Sequence, residues 1–437
     1  MIKLEEAFGV SKNPVQSYIE RINVDGLFQE ALRTDKQVIV YGSSKQGKTA
    51  LVEKHAPYKN NIVIRCTPSS GIIDIYRAIL REHGIEIVSK KENTQTSEGS
   101  LQTGIKFKAI LPFFGGTEAN TSAQVKQSSS ETNKRRSIEF NLELPQDISE
   151  LLKKLDSKKL IVLENFHYLT YELQRKLSFD LRTFQELGIR FIILGVWREK
   201  NRLTQFNGDL LDRIEEVPVE PWERSDFEKI IIKGSNALNI QFSEPVINKI
   251  IENAFDSIGV VQELLKLTCK HAGVKETQPS KCNIDQVTLV DQAIIEKVED
   301  YSSRHVRSLE SIAEGRRANK PREGYTPLYL PYYLVRAFLA FNFDEVVKGI
   351  RRELLESTIR SMHHRGDDLR PGDMSNLLHN FAELQSEKSI VPPIFDYDQS
   401  TKTMRVVDST FYFFLRNADR ENIAENLINP LDARDTD

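Results

Sequence analysis

Residues 37–51 read QVIVYGSSKQGKTAL. Val38–Tyr41 is a short, continuous apolar run, as expected of a strand buried on both faces, and Thr49–His55 is a helix-forming stretch. Between them Gly42–Thr49 fits GxxxxGK[ST], a spacing that cradles phosphate when a strand precedes it and a helix follows. Two glycines, Gly42 and Gly47, permit the tight turn and the close approach of backbone to an anion, and the helix N-terminus adds its positive dipole. The expected phosphate-binding residues are therefore Gly42, Ser43, Ser44, Lys45, Gln46, Gly47, Lys48, Thr49 and Ala50. Lys48 would neutralise the β- and γ-phosphates, and the Thr49 hydroxyl would join a Mg2+ shell, so ATP and Mg2+ are the expected ligands. The bare pattern also describes a Gly/Ser/Lys surface turn; the flanking strand and helix argue against that.

Such a loop needs a carboxylate on a neighbouring strand to hold Mg2+. KKLIVLENFHYL (158–169) supplies one: Leu160–Leu163 is apolar throughout and ends in Glu164, at the carboxyl edge where open parallel sheets bind ligands. The next residue is Asn165, an amide that orients water and cannot take its proton, which predicts slow hydrolysis. His167 is either a substitute base or a packed residue between Phe166 and Tyr168. Further strands are expected at Asn61–Thr67, Ile189–Val196 and Arg213–Val219, with an amphipathic helix at Glu172–Leu187. Strands alternating with helices predict an α/β fold with a doubly wound parallel sheet.

The order GSSKQGKT, LIVLEN, FIILGVWR and NGDLLDRIEEVPVEPW, followed by helices, resembles the AAA+/STAND branch of P-loop ATPases. That branch includes origin-recognition-type ATPases and nucleotide-switched immune sensors. The resemblance implies that Arg198, at the end of the fourth strand, reads the γ-phosphate, and that Arg213, before the last strand, is an arginine finger reaching a neighbouring subunit. With Glu164 and Asn165 these make the expected catalytic set, and Thr49 with Glu164 the expected metal ligands. The alternative for each arginine is an ordinary surface salt bridge.

The expected organisation is a lead-in (1–35), an ATPase core (36–220) with an insertion (92–137), a helical lid (221–300), a basic linker (301–325), a winged-helix domain (326–420) and a tail (421–437). Ser225 with Glu228 reads as a capping box for the first lid helix, and Ser243 with Pro245 opens the second. SIGVVQELLKL (257–267) falls where AAA+ lids carry a second sensor, but it holds Gly259 and Gln262 without an arginine, so it reads as core. Arg304, Arg307, Arg316, Arg317, Lys320 and Arg322 form a run interrupted by acids, a solvated linker more than a nucleic-acid contact. Three helices and a hairpin (IFDYDQSTKTMRVVD) give the order of a winged helix, which FYFFLRN would close. Such a domain binds DNA in origin-recognition-type relatives and clamps nucleotide in STAND proteins. In the insertion, GIKFKAILPFFGG is an apolar segment that needs cover, either from a partner or from its own domain.

The chain has 437 residues, a net charge of -3 and three well-separated cysteines, Cys66, Cys269 and Cys282. Its size allows two or three domains without staples, the balanced charge makes no global demand for nucleic acid or acidic lipid, and the cysteines read as buried thiols in a reducing compartment. No signal peptide or membrane span is legible, so a cytoplasmic location and no membrane partner are expected. The expected partners are further copies of the chain and a separately encoded effector, with antiphage defence as one setting that the resemblance suggests. The rival reading is a DNA-binding ATPase of origin-recognition or transposition-helper type, gripping duplex through winged helix and linker. A third is a scaffold that keeps nucleotide for stability alone.

Overall fold

The computed structural model describes residues 1–10, 15–95, 101–111, 136–155, 157–316 and 326–432. In chain order the strands of the first unit are β1 (Gln37–Tyr41), β2 (Ile62–Arg65), β3 (Glu86–Gln95), β4 (Leu101–Leu111), β5 (Arg136–Phe140), β6 (Ile161–Glu164), β7 (Phe191–Gly195) and β8 (Ile214–Pro218). Five of them form a sheet in the order β2-β6-β7-β1-β8, every pairing parallel. Side chains alternate along a strand and both faces of β1 are covered, which is why Val38–Tyr41 is apolar throughout. Ile39 and Tyr41 join the core on one face, packed with Ile62, Leu163 and Ile193, while Val38 and Val40 join the other, with Phe28, Leu51 and Val162.

Trp197, just beyond β7, is fully buried and lies against Tyr41 and Phe166, with ring centroids 6.3 Å away in both cases. Its ring occupies the space a side chain at Gly195 would need: an added Cβ there would sit 1.6 Å from the indole. The insertion forms a separate antiparallel sheet, β3-β4-β5, that begins at Glu86, earlier than expected. The apolar run Ile110–Phe114 lies partly outside the described residues, as do ENTQTSEGS in part and SAQVKQSSSETNKRR almost entirely.

The lid consists of helices Arg224–Leu238, Glu244–Ala254 and Ile258–His271, tied by the short parallel pair β9 (Ile240–Phe242) and β10 (Cys282–Ile284). Its first helix starts one residue before the expected Ser225 cap; Glu223 and Asp226 cap it reciprocally instead. The lead-in is not a separate layer. Leu4, Ala7 and Phe8 pack into the lid core, where Phe8 fills the space over Gly234, and Phe28 and Ala31 pack under β1.

The expected linker is the clearest correction. Val287–Glu314 is one helix of 28 residues, so 301–314 is helical and only part of the proposed linker lies beyond it; Arg317, Lys320 and Arg322 fall outside the described residues. Tyr301, His305, Leu309 and Ile312 recur on one buried stripe of this helix, joining the lid core to the C-terminal core. The arginines on its other faces hid that stripe from a reading by charge. Beyond it come helices Leu330–Ala340 and Phe343–Lys348, β11 (Ile350–Arg351), helices Arg352–Met362, Pro371–His379 and Phe381–Glu387, then β12 (Phe395–Asp398) and β13 (Thr403–Val406), in an antiparallel sheet β11-β13-β12. Helix Ser409–Asn417 follows: Phe411, Tyr412 and Phe414 pack into the C-terminal core and Phe413 into the lid core. Among the described residues no helix is long and apolar enough to cross a membrane.

Gly195→Ala forces a methyl group into the Trp197 ring, and overpacking of this kind costs about 1–3 kcal/mol. Thermal unfolding of the variant is expected well below that of the parent, and an unchanged melting temperature would contradict the packing described.

Candidate nucleotide site

The loop after β1 takes its shape from three residues in the left-handed region: Gly42 at φ 150°, Lys45 at 56° and Gly47 at 85°. Gly42 is also required by space, because a Cβ would lie 2.6 Å from Val219 Cγ2. Helix Lys48–His55 begins here, and Lys48 is buried at its start. Its ammonium donates to the carbonyls of Gly42 (2.9 Å) and Ser43 (2.5 Å), and burial pushes its pKa down to about 8. Lys48 is thus folded back onto its own loop at the start of the helix, where a helix N-terminus favours an anion.

Glu164 stands at the end of β6 beside that loop, as expected. Its Oε1 accepts from Thr49 Oγ1 (3.3 Å) and from Tyr58 OH (2.6 Å), and its Oε2 pairs with Arg65 Nε (3.0 Å). Tyr58 and Arg65 escaped the sequence reading because neither belongs to a motif; Arg65 is the register partner of Glu164 in the β2–β6 pair, a relation that only strand order reveals. Thr49 and Glu164 share one corner and fit the hard-oxygen set a Mg2+ ion requires. Asn165 takes a left-handed conformation (φ 59°) that turns the chain into Phe166–Tyr168.

Arg198 also reaches the loop. Its Nε donates to Ser43 Oγ (2.8 Å), and Nη2 pairs with Glu220 Oε1 (3.1 Å). Glu220, which no motif marks, accepts in addition from Ser43 N–H (2.7 Å) and Gln46 Nε2 (3.0 Å). A carboxylate therefore holds a loop amide, a loop side chain and the arginine together. Arg213 is not part of this group: it precedes β8 beside the start of β1, at the sheet edge opposite the loop, where it bonds Gln185 and pairs with Glu186 at 3.0 Å.

Two other elements grip the same loop. From the lid, Gly259 N–H donates to Lys45 C=O (3.1 Å) and Ile258 N–H to Gln46 Oε1 (3.4 Å); a Cβ at Gly259 would meet Lys45 Cβ at 2.6 Å. From the C-terminal domain, Val407 C=O accepts Ser44 N–H (2.9 Å), Asp408 Oδ1 accepts Ser44 Oγ–H (2.9 Å), and Ser409 Oγ donates to Ser44 C=O (2.7 Å). Asp408 is fully buried. Burial alone would raise its carboxyl, but Arg304, 2.8 Å away, His305 and the hydroxyls of Thr410 and Ser44 hold it below the usual range.

Beside the loop lies a cavity of about 290 Å³ walled by Gly9, Tyr18 and Ile19 of the lead-in, Trp222, and Ile230 and Ile258 of the lid. Gln262 Oε1 accepts Gly9 N–H (3.1 Å) and its amide donates to Ser17 Oγ (2.9 Å), so this lid residue fastens the lead-in over the cavity. Arg21 stacks on the Trp222 ring at 3.5 Å, and the buried indole N–H of Trp222 has no acceptor among the described residues. A largely apolar slot opening on a phosphate loop suits a nucleoside, and the lead-in was missed because no spacing in it marks a binding segment.

The C-terminal domain also meets the core through Arg202 and Asp396, paired at 2.9 Å, next to Glu199. Burial, opposed by Gln205 and Arg202 and reinforced by Asp396 and Asp398, pushes Glu199 up to about 7. The folded chain therefore holds a proton there that the unfolded chain releases at lower pH, and stability falls as pH rises through about 7. Glu199→Gln is expected to melt above the parent at pH 8, with the gap closing at pH 5; an equal gap at both pH values would contradict the assignment.

No protein-family model and no curated protein matches the chain. Among solved structures it is similar to a Walker-type ATPase of Pyrococcus abyssi (13% identity, 91% of this chain and 96% of that one, TM-score 0.47). It is also similar to the Aeropyrum pernix ORC1 protein in complex with DNA (14%, 99% and 98%, 0.42) and to a Thermotoga maritima RuvB variant (12%, 92% and 97%, 0.39). The parallel sheet with β1 between β7 and β8, the loop and helix that follow β1, and the acid at the end of β6 give the chain the α/β P-loop NTPase fold.

Proposed function

We propose that the protein is an ATP-binding, slowly hydrolysing switch of AAA+/STAND type, in which nucleotide and C-terminal domain bind to one loop and are thereby coupled. The observation that carries this reading is Ser44: its N–H, its hydroxyl and its carbonyl are all engaged by Val407–Ser409. Whatever changes the loop changes the docking of that domain, and the coupling works equally in the other direction.

Glu220 supplies a way to tell ATP from ADP. A γ-phosphate arriving beside this carboxylate is repelled by it and competes for Arg198, whose guanidinium also lies 3.4 Å from Tyr412 OH on the C-terminal helix. Transfer of Arg198 from Glu220 to the phosphate would loosen the Tyr412 contact, a population shift towards an open form. We read the C-terminal unit as a winged helix used for clamping, and the open form as the one that self-assembles or engages a separate effector. Asn165 in place of a second acid supports slow turnover.

The DNA-binding alternative draws little from this surface. Arg352 and Arg360 donate to the carbonyls of Pro371 and Leu369, Arg405 to that of Lys348, and Arg316 pairs with Glu383 and Glu387. Guanidinium groups spent on their own domain are poorly placed to release counterions from phosphate.

Two measurements test the reading. Solution mass without nucleotide, with ADP and with ATP should show a larger species or a released effector only with ATP, and Lys48→Ala should abolish the response; constant mass and no partner, with ATP bound, would contradict it. Arg198→Ala should weaken ATP by about tenfold or more, as loss of a charge-assisted contact does, while leaving ADP affinity within about twofold. Equal loss for both nucleotides would show that Arg198 does not read the γ-phosphate.

A further inference from the structure

Just beyond Glu164, an imidazole has no hydrogen-bond partner among the described residues. His167 lies three residues beyond Glu164, in the short turn Phe166–Tyr168 that follows β6, and both of its ring nitrogens are buried without a hydrogen-bond partner. Its ring contact is with Tyr168, 4.2 Å between centroids. A buried donor or acceptor without a partner is costly, so two on one ring call for an explanation. The ring also lies within the field of two cations, Lys48 of the loop and Arg202 at the start of helix Arg202–Phe206. Burial first, and then those cations, push it down to about 3, so it is neutral at any working pH, with one nitrogen free to accept. An uncharged acceptor just beyond the carboxyl end of β6, three residues past Glu164 and within the field of Lys48, suits the neighbourhood of an anion and its water.

We propose that His167 aligns the water that attacks the γ-phosphate, in the role that a second strand-end acid would otherwise fill. This rests on the reading of the loop as an ATP site. The unprotonated ring nitrogen accepts a hydrogen bond from the water. The water oxygen bonds to the γ-phosphorus as the bond from that phosphorus to the bridging oxygen breaks. The electron pair leaves with ADP, and the transferred water proton ends on the released phosphate. The histidine needs no proton of its own, and Asn165 serves the turn that places it.

The test is turnover of the full chain with nucleotide affinity measured in parallel. His167→Ala is expected to lower kcat about tenfold or more while ADP affinity and melting temperature stay close to the parent, as loss of a positioning contact in the transition state does. His167→Gln, which restores an acceptor, should recover part of the rate. Parental turnover in His167→Ala overturns the proposal, as does a parallel loss of ADP affinity in both variants, or a parent that binds ATP and releases no phosphate. If Lys48→Ala binds nucleotide as the parent does, the ATP site itself is wrong, a failure that the turnover series alone does not produce.

Discussion

Ser44 is held by residues 364 and 365 positions further along the chain, and this contact fixes most of what the structure can do. Peptide groups in a phosphate loop are few and fixed in direction, so each one given to a protein partner alters what a ligand finds there. Here the same short turn meets Glu220 from the end of the sheet, Gly259 from the lid and Val407–Ser409 from the C-terminal domain. The three bodies are therefore joined at the loop, and under the proposed function a bound nucleotide would bear on all of them.

Asp408 makes this joint stiff. It is a buried carboxylate stabilised by Arg304 on the long helix and by the hydroxyls of Ser44 and Thr410. Removing one partner from such a group costs several kcal/mol, whereas moving the whole group into water costs less, because water replaces the partners together. A joint of that kind favours two discrete arrangements over gradual bending, as the proposed switch would require.

The sheet and the loop were legible because each is a local pattern: β1 and β6 are apolar on both faces, and the spacing of Gly42, Gly47, Lys48 and Thr49 is a short-range rule. Glu164 was singled out by the strand it ends and Arg198 by the resemblance, and both side chains bond residues of the loop. What stayed hidden was relational. Arg65 and Tyr58 meet Glu164 through strand order, Glu220 reaches the loop by following β8 to its end, and the lead-in reaches the cavity by crossing the lid. The long helix was hidden because the arginines on its surface mask the stripe Tyr301, His305, Leu309 and Ile312 beneath them.

Amide hydrogen exchange, followed in residues 42–50 and 405–417 with and without ATP, tests the shared loop most directly. If nucleotide and C-terminal domain are coupled through Ser44 as described, ATP should slow exchange in the loop and speed it in 405–417, while ADP protects both segments. Protection of both by ATP, or a C-terminal segment indifferent to either nucleotide, would contradict the account.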